Sequence, residues 1–215
     1  MTRPARGSFD RLVTALLTHP ASLAVKRPLR DAWWTVRGRA LRARPLSADT
    51  ASLLFVCKGN ICRSPFAAVL AADLLAKAGV DGVRCTSAGF APSAERQSPA
   101  AAIDAARRSG VALDAHRAQP LTPALVGSAD AIVVTEAAHV AELARRYPEA
   151  AGRIVLLPLF GSARRGRGGY ARCNIADPYG KSPEVFTACY AHIADALGDL
   201  LGPLRARAGR PPAGA

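Results

Sequence analysis

The stretch "LLFVCKGNICRSPFAAVLAADLLAKAG", residues 53–79, decides how this chain is read. An apolar run ends at Cys57, a helical pattern opens at Pro65, and Gly79 closes it. Proline at a first helical position and glycine just past the last are ordinary helix boundaries, and Ser64 stands where an N-cap belongs. Between strand and helix lie two cysteines, Gly59, Asn60 and Arg63. Turn residues alone would close such a gap. A nucleophile and a cation beside a helix start point instead to a bound anion. A helix N-terminus offers unpaired N–H groups and a partial positive charge. Gly59 is expected to take backbone angles that let the amides of Lys58, Gly59, Asn60, Ile61, Cys62, Arg63 and Ser64 converge on one phosphate group. Arg63 adds a planar fork for two phosphate oxygens, and Asn60 a side-chain amide to hold the loop in shape.

Cys57 ends the strand at the base of this loop. Amides, a helix N-terminus and an arginine favour the thiolate, which is the nucleophilic form of cysteine. Ser64 is placed to hydrogen-bond the sulfur and ease its departure in a second step. The chemistry predicted is attack of Cys57 on phosphorus, with a phosphocysteine between two half-reactions.

Working outward, apolar strand-like runs recur at 52–57, 83–89, 130–135 and 153–159. Helical patterns fall at 65–78, 98–109, 122–128, 136–146 and 182–201. Strands alternating with helices predict parallel pairing in an α/β fold, a three-layer sandwich around a four-stranded parallel sheet. Ligands of such sheets bind beyond the carboxyl ends of the strands, which is where Cys57 lies. The segment 159–181, "LFGSARRGRGGYARCNIADPYGK", has no periodicity and is predicted to be a functional loop. It ends in "DPYG", a stiff turn presenting Asp177. A leaving oxygen displaced from phosphorus needs a proton, and a carboxyl on a proline-stiffened loop suits that task.

Residues 1–50 read as a separate basic extension, 51–202 as the catalytic domain, and 203–215 as a disordered tail. The net charge is +13, and the extension's ten Lys/Arg against three Asp supply +7 of it. No nucleic-acid motif accompanies the charge, which argues against that partner. The stretches 9–17 and 29–43 have amphipathic helical spacing, broken by Pro20 and Pro28, with Trp33 and Trp34 as anchor. Packing on the domain, contact with an anionic membrane surface and a loose arm all remain open. Because the motifs are complete from Ser52 onward, the extension is expected to stand outside the chemistry. The start has no continuous apolar stretch of signal-peptide type, so cytoplasmic residence is the expectation. Five cysteines, odd in number, form no disulfide framework, and no second Cys or His pair stands near Cys57 and Cys62 to complete a zinc site.

"VCKGNICRSP" resembles the signature of the low-molecular-weight protein tyrosine phosphatases. The resemblance extends through "TSAGF", "AHRAQPLT", "DAIVVTEAAHV" and "DPYGKSPEVF", about residues 52–201. It implies a phosphotyrosine protein phosphatase I-like fold, no metal or other cofactor, and hydrolysis of phosphotyrosine and small aryl phosphates. By motif position it implies Cys57 as nucleophile, Arg63 as phosphate ligand, Ser64 as thiolate stabiliser and Asp177 as general acid. Asn60 and His116 match the loop-ordering network, Tyr179 the aromatic wall beside the substrate ring, and Cys62 the partner of Cys57 in a reversible disulfide. Phe90 is the one aromatic candidate for the variable wall. The partner implied is a phosphotyrosine-bearing protein, such as an autophosphorylating bacterial tyrosine kinase. Two relatives by fold give alternatives: a phosphoarginine phosphatase, whose loop carries Thr where Ile61 stands, and a thiol-coupled arsenate reductase, which needs a resolving cysteine pair that this chain does not offer.

Overall fold

The computed structural model describes residues 23–38, 41–162 and 169–208. "SLLFVC" forms strand β1 (Ser52–Cys57), and all six residues are buried. Burial on both faces is what a near-continuous apolar run achieves at the centre of a parallel sheet. β1 lies between β2 (Arg84–Gly89) and β3 (Ala131–Val134), with β4 (Ile154–Leu156) outside β3. The order is β2-β1-β3-β4 and every pairing is parallel. The register sets Leu53 opposite both Cys85 and Ala131. Helices cover both faces, giving the predicted three-layer architecture.

The covering helices are α2 (Arg63–Lys77), α3 (Ala100–Arg108), α4 (Pro123–Gly127), α5 (Ala137–Arg146) and α7 (Pro183–Leu200). Their bounds lie within two residues of those read from periodicity. Gly79 and Gly110 follow α2 and α3 at φ 68° and 74°, the left-handed turn that stops a helix. Thr122 caps α4, its hydroxyl accepting from Leu125 N at 3.3 Å. In the core, the rings of Phe66 and Tyr190 stack at 3.8 Å, and Tyr190 Oη donates to the Cys62 carbonyl at 3.4 Å. This stack joins α2 to α7 directly beneath the loop after β1.

The amino ends of the strands are clasped by Asp130. Its carboxylate accepts from Ala51 N at 2.9 Å and Ser52 Oγ at 2.8 Å. These two hydrogen bonds hold its pKa below the usual carboxylate value. The clasp is therefore complete above the unfolded pKa and is lost as pH falls through the folded one.

Four expectations change. The packed body begins before residue 51: Leu46 is buried in the core and Arg44 Nη1 donates to the Gly152 carbonyl. Helix α1 (Leu23–Gly38) runs through Pro28, where a break was predicted, and its second half docks on helix α6 (Gly169–Cys173). That α6 lies inside the segment 159–181 predicted to be a loop; five residues are too few to display a period. The stretch 9–17 lies outside the described residues. At the other end, helix α8 (Gly202–Ala208) replaces the start of the expected disordered tail, because Leu204 is fully buried. Leu204→Ala is expected to cost about 2–5 kcal/mol, as other buried Leu→Ala changes do. Urea unfolding measures it, and an unchanged midpoint would show that α8 adds nothing to the fold.

Candidate active site

β1 ends at the point where neighbouring connections diverge to β2 on one side and β3 on the other. Such a switch point opens a crevice at the carboxyl edge of a parallel sheet. Cys57 sits at its floor, and the loop 58–62 wraps above it into α2. Among the described residues, the N–H groups of Gly59, Asn60, Ile61 and Cys62 have no acceptor. The left-handed residue of the loop is Asn60, at φ 51°, and not Gly59 as expected. Asparagine tolerates this region better than most residues. The tight glycine is Gly89 at the end of β2. A Cβ there would meet the Lys58 carbonyl at 2.9 Å and Asn60 N at 3.0 Å.

Asn60 uses its whole side chain. Nδ2 donates to Ser64 Oγ and to Ser87 Oγ, both at 2.9 Å, and Oδ1 accepts from Gln119 N at 2.9 Å. Its backbone carbonyl lies 2.7 Å from His116 Nε2, so that ring nitrogen carries the proton. Burial lowers the His116 pKa, partly opposed by this hydrogen bond. Ser64 lies inside α2, which begins at Arg63, and caps nothing. Its Oγ already accepts from Asn60, so its own proton is available to Cys57 Sγ at 3.1 Å, with the Ala88 carbonyl at 3.3 Å as the competitor.

Arg63 is 1% exposed. Nη1 donates to Glu136 and to the Ile175 carbonyl (3.0 Å), and Nη2 meets Asp177 Oδ2 at 2.8 Å. Burial alone would lower its pKa; Cys57, Glu136 and Asp177 outweigh that and raise it. Among the described residues Nε–H, on the edge it shares with Nη2, has no hydrogen-bond acceptor.

Around the mouth, Lys58 is exposed, and Tyr179 is 48% exposed and receives a hydrogen bond from Arg96 Nη2 at 2.8 Å. Phe90 tilts against the His139 ring at 5.2 Å on the other side, beneath the Arg146 guanidinium. Burial, with Arg63 nearby, brings the His139 pKa down to about 4 although Glu136 opposes it, so the ring is neutral near pH 7. Cys57, Cys62 and Ile61 are all buried, both cysteines are free thiols, and burial first, then Cys57, raises the Cys62 pKa.

The structure thus brings together every residue the sequence singled out for the loop, with Asp177 against Arg63. Sequence reasoning missed Glu136, Ser87, Gln119, His139 and Arg96. Glu136 carried one signal: an acid directly after a central strand, at its carboxyl end. Among the described residues no group of three or more His, Cys, Asp or Glu side chains is arranged to hold a metal ion.

Over residues 52–209 the chain matches the family described as low molecular weight phosphotyrosine protein phosphatase. It is 32% identical over 142 residues to the low molecular weight protein-tyrosine-phosphatase Etp of Escherichia coli K12, spanning 66% of this chain and 86% of that protein. Identity to the probable low molecular weight protein-tyrosine-phosphatase EpsP of Ralstonia nicotianae is 33% over 135 residues, 63% and 83% of the two chains. Among solved structures, Vibrio vulnificus Wzb in complex with benzylphosphonate superposes with a TM-score of 0.60 at 32% identity, covering 69% of this chain and 95% of that one. The YwlE arginine phosphatase of Geobacillus stearothermophilus gives a TM-score of 0.60 at 27% identity, covering 73% and 92%. With a cysteine loop, a buried arginine and an opposed aspartate on this four-stranded sheet, the chain belongs to the low molecular weight phosphotyrosine protein phosphatase family.

Proposed function

We propose that this protein hydrolyses phosphotyrosine in proteins, and small aryl phosphates, through a phosphocysteine intermediate. The observation that carries the reading is the convergence of Cys57 Sγ, the Ser64 hydroxyl, the Nε/Nη2 edge of Arg63 and the Asp177 carboxyl on one crevice. Phosphate oxygens take the unpaired loop amides and the Nε/Nη2 edge of Arg63, a bidentate pairing suited to guanidinium. Glu136 keeps the opposite edge, so the fork holds its orientation when substrate arrives.

The Cys57 thiolate attacks phosphorus as the P–O bond to the aryl group breaks. Asp177, protonated, delivers its proton to the departing phenolate oxygen. Asp177, now a carboxylate, takes a proton from water, whose oxygen attacks phosphorus. The P–S bond breaks, and Ser64 donates to the sulfur as it regains negative charge. Inorganic phosphate leaves. Tyr179 and Phe90 flank the aryl ring. We place the reaction in the cytoplasm, where a thiol nucleophile stays reduced, on a phosphotyrosine-bearing protein such as an autophosphorylating tyrosine kinase.

Likeness to the arginine phosphatase YwlE keeps phosphoarginine as the second reading. Ile61, apolar and buried, favours the aryl ester. Paired assays on phosphotyrosine, phosphoserine and phosphoarginine in EDTA decide between them. Higher turnover of phosphoarginine than of phosphotyrosine would overturn the proposal.

Cys57→Ser is expected to reduce hydrolysis to background while phosphate binding persists, because a hydroxyl is not ionised where a thiol is. Hydrolysis above background in that variant would remove Cys57 as nucleophile. Asp177→Asn is expected to slow phosphotyrosine or phenyl phosphate by about 10²–10⁴-fold, the usual worth of general acid catalysis. In kcat/KM, which reports P–O cleavage and not the shared water step, p-nitrophenyl phosphate, whose leaving group departs unprotonated, should lose much less. A leaving-group series on both proteins measures this, and parallel slopes would exclude Asp177 as the donor.

A further inference from the structure

We infer that helix α1, which lies outside the residues matched by the family, is a brace that positions the Asp177 segment through α6. The inference rests on the reading of Asp177 as the general acid.

The two helices meet backbone to backbone. A Cβ on Gly38 would lie 2.7 Å from Cys173 Sγ, and one on Gly169 would lie 2.6 Å from Asp31 Cβ and 2.7 Å from its Cα. A glycine on each partner therefore permits the approach, and Gly169 also takes φ 58°. Tyr170 is the contact's centre. The Trp34 ring meets its edge at 6.0 Å and 79°, and the Arg30 guanidinium covers it at 4.3 Å. Tyr170 N donates to Asp31 Oδ1 at 3.4 Å, and Arg30 Nη2 pairs with the same carboxylate oxygen at 3.1 Å. Arg172 Nη1 reaches the Gly38 carbonyl at 3.5 Å.

From α6 the chain passes straight into the site. Asn174 Nδ2 donates to the Tyr170 carbonyl at 2.9 Å, and its Oδ1 accepts from Ala137 N at 3.1 Å, one residue past Glu136. Ile175 N donates to the Thr135 carbonyl at 2.9 Å, and the Ile175 carbonyl accepts from Arg63. Asp177 follows two residues later. A helix of five residues is not stable alone and takes its position from what it packs on. Among the described residues, the elements it packs on most are α1 and the turn Leu157–Leu159. On this inference residues 29–38 hold the anchor of the acid-bearing segment, in place of the expectation that the whole extension stands outside the chemistry.

Trp34 and Tyr170 are positioning residues in this account, and proton delivery is what they affect. In the full-length protein, Trp34→Ala and Tyr170→Ala are expected to lower kcat/KM on phenyl phosphate, which reports cleavage of the P–O bond, about tenfold, a fraction of the roughly 10²-fold that a 1 Å misplacement can cost. kcat/KM on p-nitrophenyl phosphate should fall less than about twofold, since its leaving group does not need the proton and the shared water step does not enter kcat/KM. Tyr170→Phe keeps the ring and should behave as the parent. In the Asp177→Asn background, Trp34→Ala should cause no further loss on phenyl phosphate, because residues acting through one group are not additive. Equal losses on the two substrates, additive losses in the double variant, or no loss at all would each overturn the brace. The two readings separate cleanly. Parallel leaving-group slopes in the parent and Asp177→Asn remove the acid assignment and the brace's role in proton delivery with it. A steep dependence there with an unaffected Trp34→Ala removes only the brace.

Discussion

Arg63 buries a permanent positive charge under the substrate loop, and a buried charge must be paired and hydrogen-bonded to be tolerated. Its partners come from two further segments: Glu136 after β3, and the carbonyl of Ile175 with Asp177 in the stretch after α6. The start of α2, the end of β3 and the 174–177 segment are therefore fixed relative to one another by one side chain. Nothing in that set is spare. Glu136 pairs with the guanidinium at Nη1, while Asp177 meets Nη2 on the edge proposed to take the anion.

The Asn60 network plays the neutral counterpart. It satisfies every hydrogen-bonding atom of a buried amide, using Ser64, Ser87 and Gln119, and its carbonyl meets His116. A buried polar network is stabilising only when it is complete. Completeness here has a directional result: Ser64 Oγ is left to donate, with Cys57 Sγ at 3.1 Å and the Ala88 carbonyl at 3.3 Å within its reach. The loop's shape and the polarity of its hydroxyl thus come from the same set of bonds.

Most of the scaffold could be read from residue order alone. Strands buried on both faces are continuous apolar runs, and helix ends carry Gly79, Gly110 and the Ser182–Pro183 pair. The nucleophile loop was readable because its residue types are adjacent in sequence. Glu136, Ser87 and Arg96 were not, since each acts across the sheet or crevice on a residue tens of positions away. Gly59 drew the conformational role because glycine is the usual left-handed residue, yet Asn60 holds it, stabilised by hydrogen bonds that no local pattern reveals. Helix α6 and the docking of α1 were hidden for a related reason: a five-residue helix has no period, and its order comes from a partner more than 130 residues away.

The Asp130 clasp lies at the amino ends of β1 and β3, a full strand length from Cys57. Fold maintenance and chemistry are thereby segregated along a single axis. Drift in sequence at the clasp is felt as a change in how much folded protein exists, while drift at the opposite edge is felt in what each folded molecule does. Two selective pressures act on the same two strands with little interference, which leaves room for an appended helix to be recruited at one edge without unsettling the other.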